Sequence, residues 1–133
     1  MEKKRYRRHI SVVDVTLPLE HNPEKELEWI FQCLGLGDES NRIAQDIFRE
    51  LVRASKERHG ISSRELKDKE QVSQAAIIYH LNTFMRSGLI VKQGRLYYLR
   101  APSLEETLEE LERDMMFRLE RLRRIARKLE EEF

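Results

Sequence analysis

From Ser73 to Arg86 the chain runs without a single acidic residue, and this stretch carries Gln74, Tyr79 and Asn82. Their spacing places them on one side of an α-helix, together with Ser73, Ala75 and Ile78. Side-chain amides pair with the donor and acceptor edge of adenine, and a tyrosine offers a hydroxyl to phosphate or a ring to a thymine methyl. Ser73 can cap the helix or donate to a phosphate. A carboxylate on this face would repel a polyanion, and none is present. The opposite side holds Ile77, Leu81 and Phe84, preceded by Val72, and so has a core to face.

A helix that presents such a face needs neighbours to hold it. Residues 9–17 contain Ile10, Val12, Val13, Val15 and Thr16 and predict a short strand. Pro18 and Asn22-Pro23 end it. Pro23, followed by Glu24 and Glu26, opens a helix with Leu27, Ile30, Phe31 and Leu34 on one face, stopped by Gly35 and Gly37. Ser40 or Asp38 caps the next helix, whose stripe is Ile43, Ile47, Leu51 and Ala54, ended by His59-Gly60. Ile61 stands alone as an apolar residue before a short helix at about 63–69, with Ser62 and Glu65 spaced as a capping box. The acid-free helix at 73–86 follows, stopped by Ser87-Gly88. Two β-prone runs around Gln93-Gly94 then predict a tight hairpin over 89–99. Ala101-Pro102 breaks the chain, and Ser103 caps a last helix.

The stretch from Val72 through Tyr79-His80-Leu81, then Ser87-Gly88-Leu89-Ile90-Val91, then Gly94-Arg95-Leu96-Tyr97-Tyr98-Leu99, resembles the ArsR-like winged-helix transcription regulators of bacteria and archaea. The resemblance covers roughly residues 43–100. It extends more loosely over the C-terminal helix and implies a winged helix-turn-helix; with the N-terminal strand and helix and the long C-terminal helix read above, the expected fold is mainly α, α+β. The 73–86 helix would enter the major groove of double-stranded DNA and the 89–99 hairpin would form a wing at the backbone. His80 would sit at the buried edge of the reading helix, and Gly88 would make the turn into the wing. Metal-sensing relatives carry paired cysteines in the short preceding helix. Here that segment reads Ser63-Arg64-Glu65-Leu66-Lys67-Asp68, so metal sensing is not supported, and no cofactor is expected. The wing is short, with Lys92 to Arg95 at its tip.

Charge is unevenly placed. The net charge is +1 overall, but residues 103–133 sum to −3. Lys3, Lys4, Arg5, Arg7 and Arg8 form a basic arm that favours a polyanionic partner. Arg86, Lys92 and Arg95, with Lys67 and Lys69, are further candidates for phosphate contact. Three units result: a basic arm and short strand at 1–22, a winged helix-turn-helix at 23–100, and a C-terminal helix at 103–133.

In that last helix Leu104, Leu108, Leu111, Met115, Leu119, Leu122, Ala126, Leu129 and Phe133 form one stripe with a mean step of about 3.6 residues, a nearly straight helix with one stutter. At ~1.5 Å per residue it is about 45 Å long, more than a small domain can cover. Dimerisation of two copies through Leu104–Leu129 of this stripe, as a coiled coil, is the expectation.

Other classes find less support. Cys33 is the only cysteine, so no intramolecular disulfide or cysteine-based metal site can form, which suits a reducing cytoplasm. The four histidines lack ligand spacing. No phosphate loop or nucleophile elbow is present, so an enzyme is not expected. No apolar run approaches a membrane span or a secretory core. Trp29 is read as a packing residue or a dimer contact. The competing expectation is a winged-helix module that binds protein within a larger transcription or chromosome assembly, kept open by the lack of arginine on the outer face at 74–82. RNA binding is disfavoured because Tyr97 and Tyr98 face opposite sides of one strand. Target site, sign of regulation and any small-molecule effector are not encoded legibly.

Overall fold

The computed structural model describes residues 10–38 and 40–133. Five helices and three short strands follow one another: α1 (Pro23–Cys33), α2 (Arg42–Lys56), β1 (Ile61–Ser62), α3 (Ser63–Glu70), α4 (Gln74–Arg86), β2 (Ile90–Gln93), β3 (Leu96–Leu99) and α5 (Leu104–Glu132). The result is a mainly helical α+β chain with one antiparallel sheet, ordered β1-β3-β2.

Local chemistry sets most boundaries. Pro23 occupies the first turn of α1, and the Asn22 side chain accepts from the backbone N–H of Glu24 and Lys25. Ser62, Ser73 and Ser103 each cap a helix, accepting from Glu65, Ala76 and Glu106 respectively. Helix α4 ends in a Schellman turn: Gly88 has φ +84°, its N–H donates to the Met85 carbonyl, and Leu89 donates to that of Phe84. The N-cap of α2 is Asn41 rather than Ser40 or Asp38; those two bond to each other instead, and Asn41 Oδ1 accepts from the Asp38 N–H at 3.0 Å. Helix α2 ends at Lys56, about one turn before Gly60, and Arg58 just beyond it takes a left-handed φ of +58°.

The core lies where α1, α2 and α4 meet the sheet. Phe31, Phe48 and Phe84 stack at centroid distances of 5.9, 6.5 and 6.3 Å, mostly edge-on, and fill the helix junction. Ile47, Leu51, Leu66, Ile77 and Leu81 complete it with Leu89, Tyr97 and Leu99 from the hairpin.

The expected strand at 9–17 does not form over the described residues 10–17. The backbone runs beside α1: Val13 N–H donates to the Cys33 carbonyl at 2.7 Å, and the Trp29 indole donates to the Val15 carbonyl at 2.9 Å. β-branched residues favour extension, but a strand also needs a partner edge, and here the neighbour is a helix. Conversely, Ile61 pairs with Tyr97 and Ser62 with Leu96, making a two-residue strand with no periodic signature.

The first turns of α5 belong to the core. Leu111 is buried there, Leu104 and Leu108 pack against it, and Thr107 is fully enclosed, its hydroxyl accepting from the Ala101 N–H. Assignment of Leu111 to a dimer contact is therefore corrected, since it is buried in the chain's own domain, and Leu104 and Leu108 are half-buried against the same core. Met115 is half-buried, and Leu119, Leu122, Ala126 and Leu129 are exposed.

Candidate nucleic-acid interface

Helices α3 and α4 are joined by a turn in which Gln71 takes a left-handed conformation, φ +53°. Val72 turns inward, and Ser73 starts α4. Anchored by Ile77, Leu81 and Phe84, α4 must present the other side outward. Ser73, Gln74, Ala75, Tyr79 and Asn82 are exposed and Ile78 is half-buried, as the spacing predicts. Tyr79 is 64% exposed, its ring edge-on to His80 at 5.3 Å. Gln74 Nε2 donates to Ser63 Oγ at 2.8 Å, which fixes the amide across the turn. Burial holds the His80 imidazole below its ordinary range, favouring the neutral form on the inner edge of the helix.

The hairpin stands beside this face. Its register, Gln93 opposite Leu96, leaves Gly94-Arg95 as the two-residue turn, one position later than the Gln93-Gly94 expected. Gly94 has φ +63° and Arg95 no positive φ, the pattern of a type II′ turn. Lys92 lies 5.4 Å from the centre of the buried Tyr97 ring, and Lys92 and Arg95 are both exposed.

A groove of about 390 Å³ runs between these parts, lined by Ser62, Ser63, Arg64, Gln74, Ile78, Lys92, Arg95 and Tyr97. Three cations meet there with amide and hydroxyl groups, and none of the lining residues is acidic. Sequence spacing did not bring out Arg64 or Ser63. They reach the groove because β1 pairs with β3 and swings the start of α3 against the hairpin, a long-range contact.

Other expected phosphate contacts lie apart. Arg86 is exposed at the far end of α4 and donates to Thr83 Oγ1 at 3.4 Å. Lys69 is ion-paired to Glu50 at 2.9 Å and ties α3 to α2. Lys3, Lys4, Arg5, Arg7 and Arg8 lie outside the described residues. A larger open depression of about 760 Å³ lies on Tyr98's side of the hairpin, with Lys56, Arg58 and Arg100 in its wall. Arg100 is already held by Asp114 and Glu110, which leaves Lys56 and Arg58 as the lysine and arginine side chains there, against Arg64, Lys92 and Arg95 in the smaller groove. Among the described residues no cluster of His, Cys, Asp or Glu could hold a metal ion, and no helix is long and apolar enough to cross a membrane.

No protein-family model, no characterised protein and no solved structure matches the chain.

Proposed function

We propose that the chain is a winged-helix transcription regulator of the ArsR-like kind that binds double-stranded DNA as a homodimer. Helix α4 enters the major groove, and the β2–β3 hairpin lies along the backbone as the wing. The observation that carries this is the acid-free groove in which Gln74 and Ile78 of α4 meet Arg64, Lys92 and Arg95. Phosphate contacts from the three cations set position, while Gln74, Tyr79 and Asn82 read base edges, each good bidentate contact being worth roughly 1–3 kcal/mol of discrimination.

Selection of bound duplexes from a random pool, followed by titration of Gln74→Ala and Tyr79→Ala, tests this. Recovery of a common site whose preference the two variants relax is the expected result. Absence of any duplex affinity at low salt overturns it. One observation favours the alternative, a protein-docking module: the outer face of α4 from Gln74 to Asn82 has no arginine and exposes the Tyr79 ring. Loss of a stoichiometric protein partner on Tyr79→Ala, with no duplex bound, would select that alternative.

A further inference from the structure

Beyond Arg118 every residue of α5 is exposed, and Leu119, Leu122, Ile125 and Leu129 are 45–65% exposed on a helix that has left its own domain. An isolated helical segment of this length is marginal in water, so its apolar face needs a cover. The order of the side chains says what kind. From Met115 onward the stripe steps 4, 3, 4, 3, 4 through Leu119, Leu122, Ala126, Leu129 and Phe133, a strict heptad, whereas Leu111 to Met115 to Leu119 steps 4 and 4. The stutter falls where the helix passes from its own core to the free face. In heptad terms Met115, Leu122 and Leu129 are d positions, and Leu119, Ala126 and Phe133 are a positions.

We propose that this free half of α5 pairs with the same segment of a second copy in antiparallel orientation. The proposal rests on the homodimer in the function suggested above and adds the geometry of its interface. Three features choose antiparallel over parallel. A parallel pair sets each Arg118 at g against Arg123 at e of the other helix, two repulsive contacts. The antiparallel register that covers all six stripe residues sets each Arg118 against Glu132 instead, two attractive contacts, at the cost of one Arg123–Arg123 contact. The same register joins Ile125 to Ile125 across the two-fold axis, whereas the parallel pair puts Ile125 against Glu130. It also packs Leu122 against Ala126, large against small, where a parallel pair would stack Ala126 on Ala126 and leave a gap.

This arrangement sends the two domains to opposite ends of the pair. Leu111 of one copy and Leu111 of the other stand about 39 Å apart along the helix axis at ~1.5 Å per residue. That separation is on the order of one turn of duplex DNA.

Sedimentation of the full chain and of Arg118→Glu, without DNA, tests the orientation by sign. Antiparallel pairing predicts about tenfold weaker dimerisation for Arg118→Glu, with recovery in Arg118→Glu/Glu132→Arg. Parallel pairing predicts tighter dimerisation, because the introduced carboxylate would then face Arg123. Disulfide trapping in a Cys33→Ser background gives a second measurement: Arg118→Cys mixed with Glu132→Cys yields the mixed dimer, and Arg118→Cys mixed with Arg123→Cys does not. A tighter Arg118→Glu dimer, a dominant product between positions 118 and 123, or a monomeric parent chain at micromolar concentration overturns the proposal. DNA is absent from every measurement, so failure of the DNA-binding function leaves these results standing, and the reverse also holds.

Discussion

Arg100, just past β3, grips Asp114 in α5 with both guanidinium nitrogens, Nη1 at 2.6 Å from Oδ2 and Nη2 at 3.3 Å from Oδ1. The side chains are only 19% and 23% exposed. The two carboxylates nearby hold the guanidinium more firmly charged than usual, the Asp114 bond first among the causes. Glu110 is the second of these carboxylates, its Oε1 3.7 Å from the Arg100 Nε. This fork fastens the last helix to the sheet at the point where its apolar stripe turns from the core to solvent.

Removal of either side of the fork takes from a partly buried charge its bidentate contact. Arg100→Ala and Asp114→Ala should each cost about 1–3 kcal/mol of stability. The double variant should cost clearly less than the sum. Urea denaturation of the four chains forms the double-mutant cycle, and additive losses would show that the two groups act independently.

Two glycines separate space from backbone strain. A Cβ at Gly60 would lie 2.6 Å from Tyr98 Cζ and 2.8 Å from Leu96 Cβ, so Gly60→Ala must displace β3 and should destabilise by about 1–3 kcal/mol. A Cβ at Gly94 meets nothing within 4 Å, but the residue holds φ +63°. Gly94→Ala should cost about 1–2 kcal/mol through backbone conformation alone. Amide exchange distinguishes them: Gly94→Ala loosens the hairpin turn, and Gly60→Ala reaches Ile61 and the core.

The carboxyl of Glu70 is pushed above its ordinary range, first by burial and then by Asp46 and Glu50. Arg49 opposes the shift. An acid whose folded pKa is raised holds its proton more tightly in the folded state. Folding stability therefore falls as pH rises from the ordinary value of 4.5 through the raised one. Above that window the penalty is fully present. Glu70→Gln should be more stable than the parent at pH 7, by ~0.5 kcal/mol or less after solvent screening, with the difference shrinking toward pH 4. Thermal melts across this pH range check it, and a variant less stable at pH 7 would contradict it.

On the proposed DNA surface, Arg64, Lys92 and Arg95 serve phosphates and not bases. Replacing any one with alanine should weaken binding to all duplexes alike and reduce the slope of log affinity against log salt by about 0.9. Asn82→Ala should leave that slope unchanged while altering sequence preference. Titrations at several salt concentrations, on a selected site and on a scrambled one, distinguish the two classes.

Much of the frame was legible without coordinates because its signals are local. Ser62, Ser73 and Ser103 cap helices through bonds spanning three residues. Gly88 closes α4 through bonds spanning three and five residues. The exposed face of α4 follows from the positions of Ile77, Leu81 and Phe84 three and four residues apart. Such features are written within one turn of chain, where residue type decides conformation.

What the sequence left open depends on partners far along the chain. Residues 10–17 have strand composition, but Val13 and Val15 bond to α1 because no sheet edge lies beside them. Ile61 becomes a strand only because Tyr97 comes alongside, and that pairing delivers Arg64 to the groove with Arg95. The stripe of α5 is continuous in sequence, yet Leu111 is buried in its own domain and Leu119 faces solvent. Periodicity states that a face is apolar. Only the tertiary fold, through the reach of the hairpin and the Arg100–Asp114 fork, decides which length of that face is covered by the chain's own domain and which stays exposed.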